Sequence, residues 1–102
     1  MQFQKIKSPL SKANFIAKAK ELKKFISSQG KNYSVTEIDG DIMKFIRVDS
    51  SPNVIWDIDL VKLYNAYINL ENYPTKSFIK YVPRRHSPGR GILIKLGLIG
   101  YV

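Results

Sequence analysis

Tyr33-Ser34-Val35-Thr36-Glu37-Ile38-Asp39-Gly40-Asp41-Ile42-Met43-Lys44-Phe45-Ile46-Arg47-Val48 is the stretch that takes this chain out of the all-helical class. Tyr33–Ile38 and Ile42–Val48 are rich in β-branched and aromatic residues, and Asp39-Gly40 between them suits a tight type I′ turn. In that register Tyr33 faces Ile46, Val35 faces Lys44 and Glu37 faces Ile42. Glu37 and Lys44 are then diagonal neighbours, a weak surface ion pair. Beyond the hairpin, Asp49-Ser50-Ser51-Pro52-Asn53 reads as a turn, and Val54-Ile55-Trp56 as a short third strand.

Helical signals lie on both sides. Upstream, a helix is expected from about Pro9 to Ser28, with Ser8 as cap, Pro9 in its first turn and Gly30 just past its end. Phe15, Ala19, Leu22 and Ile26 make its buried stripe. Downstream, Asp57 or Asp59 caps a second helix to about Leu70. Its Ile58, Leu60, Val61, Leu63, Tyr64, Tyr67 and Ile68 cover most of the circumference, so this helix should be central. Thr75 can cap a short element to about Val82, and Ser87-Pro88 opens a last helix to about Leu96. Gly89, Gly91 and Gly97 make that helix weak by propensity, so packing must hold it. The expected fold is α+β: a lysine-rich N-terminal helix, a small antiparallel hairpin or three-stranded meander, then two to three helices. It forms a single small basic domain over residues 1–102, either complete or a fragment of a longer chain.

The charge comes in three blocks. Residues 1–31 hold eight lysines against Glu21, a net of +7; residues 32–73 hold three bases against seven acids, a net of −4; residues 74–102 hold six bases and no acid. The whole carries +9. Such a field bears on partners and association rate, and it points to a polyanion. No cysteine is present, which excludes disulfides, Cys-ligated zinc and thiol catalysis and fits a reducing, cytoplasmic setting. Lysines interrupt the first apolar stretch, so no signal peptide is expected. Ile92–Val102 is far too short to span a bilayer, so no membrane partner is expected. Asn32-Tyr33-Ser34 matches a glycosylation sequon by chance.

Tyr81-Val82-Pro83-Arg84-Arg85-His86-Ser87-Pro88-Gly89-Arg90-Gly91 concentrates three of the four arginines and the only histidine at a turn before a helix. Backbone amides at a helix start beside guanidinium groups suit a phosphate. The alternative is a solvated loop whose arginines pair with the acidic block. Thr75–Val82, Pro83–His86 and Ser87–Leu96 could form a helix-turn-helix with Arg90 reaching a base edge. The proline-containing turn and the glycines argue for an ordinary helical hairpin instead. Lys12, Lys20, Lys23 and Lys24 fan out along one flank of the first helix, with Lys18 on the other side. That flank and Lys31 could track a phosphate backbone, as Lys76 and Lys80 could. Tyr73 and Tyr81 flank basic residues and are the better candidates for base stacking; Tyr64 and Tyr67 look like core.

A small nuclease would have to use His86 as acid or base with arginines on the phosphate. One histidine without a partner base is thin support. Asp39 and Asp41 are explained by the turn, Asp57 and Asp59 by capping. Glu21-Leu22-Lys23 lacks a companion aspartate on a strand. No phosphate-binding glycine loop, dinucleotide fingerprint or histidine cluster appears. No catalytic residue, cofactor or metal is therefore assigned.

The leading expectation is a nucleic-acid-binding domain, for DNA before RNA. Its contact set is Arg84, Arg85, His86, Arg90, Lys12, Lys20, Lys23, Lys24, Lys31, Lys76, Lys80 and Tyr81. The alternative is a protein–protein module that docks on an acidic partner or forms a homodimer. Ile92, Leu93, Ile94, Leu96, Leu98, Ile99, Tyr101 and Val102 exceed what one short helix needs, so they supply either a patch for self-association or the end of the core.

Overall fold

The computed structural model describes residues 3–49 and 54–101. The expected turn over residues 49–53 lies outside them except for Asp49. In chain order the elements are β1 (Phe3–Lys5), α1 (Lys12–Lys20), β2 (Lys24–Ile26), β3 (Asn32–Asp39), β4 (Ile42–Arg47), β5 (Ile55–Asp59), α2 (Leu60–Asn69), a 3-10 turn (Thr75–Phe78), α3 (His86–Lys95) and β6 (Ile99–Tyr101). The class is α+β, as expected. β2-β3-β4-β5 form a four-stranded antiparallel meander, one strand more than anticipated, and the two chain ends pair as β1-β6.

The first helix is half as long as its periodicity implied. Ser11, not Ser8, caps it, accepting from the Asn14 N–H at 3.2 Å. It stops at Lys20, with Phe15 and Ala19 buried. Lys24-Phe25-Ile26 then pairs with Asn32-Tyr33-Ser34 and alternates exposed, buried, exposed. The turn between these strands explains the early end: Ser27 N–H bonds the Lys31 carbonyl, and Gly30 sits at φ +81°. Ser27 is itself buried and accepts from the Gln29 and Lys31 amides. Gly30 thus serves a hairpin rather than a helix end, and Ile26, expected inside, is 57% exposed.

The central hairpin pairs differently from the simple register. Tyr33 faces Arg47, Val35 faces Phe45, Glu37 faces Lys44 and Asp39 faces Ile42. The register shifts between Val35 and Glu37. The bulge at Thr36 has a physical reason: the apolar residues Tyr33, Val35 and Ile38 are spaced two and then three apart. An uninterrupted strand would turn Ile38 to the other face. With Asp39 paired to Ile42 the central turn residues are Gly40 and Asp41, not Asp39 and Gly40, and only Gly40 has positive φ, at +63°, which matches type II′ rather than I′. Glu37 and Lys44 end directly opposite each other, 3.9 Å apart.

Met43 and Phe45 of β4, Phe25 of β2, Tyr33 of β3 and Ile58 of β5 are buried on the inner face. Phe25, Tyr33 and Phe45 pack as a triangle of rings with centroids 5.1–5.3 Å apart. Asp59, the second of the two cap candidates, accepts from the Val61 and Lys62 amides and starts α2. Leu60, Leu63, Ala66 and Tyr67 of α2 are buried, though Ile68 is not. Phe15 of α1 stacks on Tyr67. Leu10 is clamped between the hydroxyls of Tyr67, which accepts its N–H, and Tyr64, which donates to its carbonyl. At the far end of α2, Lys5 Nζ donates to the Leu70 carbonyl at 2.7 Å, a favourable place for a cation. Burial there pushes its pKa down despite Glu71 nearby.

The glycines of α3 create its packing. An added Cβ at Gly91 would lie 2.2 Å from the Ile26 carbonyl oxygen, and one at Gly89 would lie 3.1 Å from a Leu63 methyl. Backbone therefore touches backbone where α3 crosses β2. The apolar C-terminus goes into the same core: Ile92 and Leu93 are fully buried, Leu98 and Ile99 nearly so, and among the described residues of that set only Ile94 and Tyr101 are exposed; Val102 lies outside them.

Candidate nucleic-acid interface

The structure sorts the basic residues by whether their charge is already engaged. After the 3-10 turn the chain stays tightly wound: the Ile79 amide bonds the Lys76 carbonyl, and the Tyr81 and Val82 amides bond that of Phe78. Phe78 and Val82 are buried and anchor this segment. Lys76, Ile79, Lys80, Pro83 and Arg84 are exposed. The three exposed cations recur every fourth residue along this segment and its closing turn, a basic ridge by their spacing. Lys80 Nζ lies 6.0 Å from the half-buried ring of Tyr81.

The ridge ends in a strained turn. The Arg85 amide bonds the Val82 carbonyl at 3.0 Å with Pro83 second, and Arg84, third, sits at φ +64°. This is the type II pattern, in which the third position favours glycine. A side chain there costs about 1 kcal/mol or more. Arg84 is the only non-glycine residue at positive φ among the described residues. It pays that cost while its guanidinium stays exposed, outside every described ion pair.

Arg85 and Arg90 are used internally. Arg85 Nε donates to the Asp57 carbonyl at 2.6 Å, its Nη2 lies 3.6 Å from the Asp57 carboxylate, and it stacks on Trp56. It thereby closes part of the free edge of β5; its ion pair with Asp57 is the pairing to the acidic block that the alternative reading anticipated. Arg90 Nη1 donates to the Tyr73 carbonyl and the Thr75 hydroxyl, and the guanidinium lies 4.3 Å over the Phe3 ring. It cannot reach a base edge from there. The helix-turn-helix geometry fails for the same reason. Its first helix is a four-residue 3-10 turn, and Ser87, Pro88, Gly89, Gly91, Ile92 and Leu93 of the supposed recognition helix are buried.

His86 opens α3, with its Nδ1 buried and without a hydrogen-bond partner. Among the described residues no group of three His, Asp or Glu side chains could hold a metal. Tyr73 is fully buried and donates to the Tyr67 carbonyl, so it cannot stack on a base. Burial raises its pKa well above the ordinary tyrosine value.

The expected lysine flank breaks up with the helix. Lys12 and Lys20 stay on α1, Lys23 falls in the connection, and Lys24 stands on β2. Lys20 lies 3.9 Å from Asp41, a half-exposed pair of small worth. Lys31 is half-buried at the end of the β2–β3 turn. Ser28 in that turn bonds the hydroxyls of Thr75 and Ser87, which brings the turn beside the start of the ridge.

One surface feature escaped the sequence. A groove of about 570 Å³ lies where β2 and β3 meet the second half of α3, bordered by Ile26, Val48 and Ile94. Its signal was the alternation of Lys24-Phe25-Ile26, hidden by the helical spacing of the same residues.

No protein-family model matches the chain, and neither a curated protein nor a solved structure is significantly similar to it. No helix among the described residues is long and apolar enough to cross a membrane.

Proposed function

We propose that this protein binds nucleic acid through its phosphate backbone, with the ridge Lys76-Lys80-Arg84 as the central contact and Tyr81 and Lys31 beside it. The observation that carries this is Arg84, held exposed at φ +64° at the end of an acid-free row of cations. Strain that the fold could relieve with glycine persists at a charged, unengaged side chain, a pattern of functional positions. The ridge is narrow and carries no base-reading group, so affinity should be salt-sensitive and indifferent to sequence. Lys12, Lys23 and Lys24 add to the long-range field that attracts a polyanion.

Binding of a labelled random-sequence duplex, titrated with salt, tests this. The triple variant Lys76→Ala, Lys80→Ala, Arg84→Ala should lose affinity for every duplex and lower the salt slope by about 2.7, or 0.9 per lost phosphate contact. Arg84→Gly separates binding from folding: it should be at least as stable as the parent, since glycine suits that φ, yet bind more weakly. Unchanged affinity in the triple variant would remove the ridge from the interface.

A further inference from the structure

Antiparallel sheets with one open face normally turn polar residues outward. This one does not. By register Ile46 and Ile55 are partners on the outer face, Val48 follows Ile46, and Ile26 lies across Asn32 from Val48. Ile55 is 66% exposed, Ile26 57% and Val48 54%. At the β2 side the strip runs into the groove of about 570 Å³ against α3, where Ile94 adds a further exposed side chain. Lys24 and Lys95 also line that groove, no acid does, and neither lysine is in a described ion pair.

We propose that this strip docks an amphipathic helix of a partner protein, apolar along its buried side and carrying Asp or Glu on its flanks. Charge complementarity chooses the sign, since two cations border the apolar groove and nothing there answers them. A strand is disfavoured because each edge it would join is partly closed. Gly91 presses on the Ile26 carbonyl at the edge of β2, and Arg85 takes the Asp57 carbonyl at the edge of β5. Side chains must then make the contact, as they do for a helix laid on a face. From β2 to β5 is three interstrand steps, about 14 Å, roughly the length of ten helical residues. A second copy is the poorer occupant. A two-fold interface centred on this groove would set its lysines against themselves. Nucleic acid is poorer too: Tyr33 and Phe25, the aromatic lining residues, are only 7% and 2% exposed and offer no ring for a base.

The probe is a synthetic 14-residue peptide with leucines at helical spacing and glutamates on both flanks, beside a control with lysines replacing the glutamates. Fluorescence anisotropy should show the acidic peptide binding and the basic one not. Ile26→Ser with Ile94→Ser, both at exposed positions, should weaken binding at least tenfold without changing the unfolding temperature. Lys24→Glu with Lys95→Glu should reverse the preference between the peptides. Equal binding of the two peptides, binding of neither, or no reversal would overturn the proposal. So would sedimentation that finds a dimer dissolved by Ile26→Ser, which gives the face to a second copy. Duplex binding of the Ile26→Ser, Ile94→Ser variant should be unchanged; its loss would assign the groove to nucleic acid instead. The ridge variants read the phosphate contact separately, so either proposal can fail alone.

Discussion

Gly91→Ala is the most demanding test of how α3 meets the sheet. The new methyl would be built 2.2 Å from the Ile26 carbonyl oxygen, 2.8 Å from Ser27 Cα and 3.0 Å from the Ile26 carbonyl carbon. All three are backbone atoms of β2 and its turn, so no side chain can swing aside. Relief requires α3 to move away from β2 by about 1 Å, which loosens the packing of Ile92 and Leu93 beside it. Overpacking of this kind costs about 1–3 kcal/mol and sometimes more. Alanine recovers about 0.8–1 kcal/mol of helix propensity. With three backbone atoms in the way the cost belongs at the upper end of that range, so the net expectation is about 2 kcal/mol of destabilisation, a fall of about 8–16 °C in Tm for a domain of this size. Gly89→Ala is the internal control. Its nearest neighbours are methyls of Leu63, Val82 and Ile58 at 3.1–3.4 Å, which can shift by small rotations. There propensity and crowding should nearly cancel, leaving Tm within a few degrees of the parent. Calorimetry on the two variants decides the matter. If Gly91→Ala melts at or above the parent temperature, α3 does not lie against β2 as described.

Two further perturbations separate structure from function. Arg90→Met removes hydrogen bonds to the Tyr73 carbonyl and the Thr75 hydroxyl; it should cost about 2 kcal/mol in chemical denaturation and leave duplex affinity unaltered. Retained stability with lost binding would put Arg90 back at the interface. Arg47 first, then the Asn32 amide, hold the Asp49 carboxyl down at about 2 from an ordinary value of 3.8. The contribution of Asp49 to stability is thus complete above pH 3.8 and lost as pH falls through about 2. The gap in urea midpoint between parent and Asp49→Asn should therefore be constant near neutrality and close only in that acid window; a gap that closes near pH 6 would contradict it.

How much of this was legible depends on which interactions decide each element. Gly40 with its flanking apolar runs announced the hairpin, and the pair Asp57 and Asp59, of which Asp59 is the cap, announced the start of α2, because both signals are local. The bulge was also written locally, in the two-then-three spacing of Tyr33, Val35 and Ile38, but a fixed period of two overlooks it. β2 was not legible. Lys24-Phe25-Ile26 continues the helical stripe of Phe15 and Ala19 as well as it forms a strand, and only its pairing with Asn32–Ser34 decides. Tertiary pairing also reversed the meaning of Gly89 and Gly91, which weaken an isolated helix and make this one fit. For the candidate site, the sequence singled out the basic segment as a whole. It could not tell that Arg85 would close a strand edge, that Arg90 would turn inward onto Phe3, or that Lys76, Lys80 and Arg84 would remain.

The segregated charge of the sequence is partly consumed by folding, and the remainder carries the argument. Described ion pairs join Lys20 to Asp41, Lys44 to Glu37, Arg47 to Asp49 and Arg85 to Asp57. Each draws its acid from the middle block, and two of the bases come from inside that block as well. Four of the seven acids of that block are therefore answered, two of them by bases from inside it. The C-terminal block is acid-free in sequence; among the described ion pairs only Arg85 of that block meets an acid, while Asp57 and Asp59 border the cleft beside Arg84 without pairing to it. A cation left without a partner adds little to stability, since an exposed pair is worth about 0–1 kcal/mol even when made. Folding alone gives no reason to hold Arg84 at a strained φ with its charge in water. The proposed phosphate contact would give one, and the apolar groove beside Lys24 and Lys95, lacking exposed rings or strain, would suit a different kind of partner.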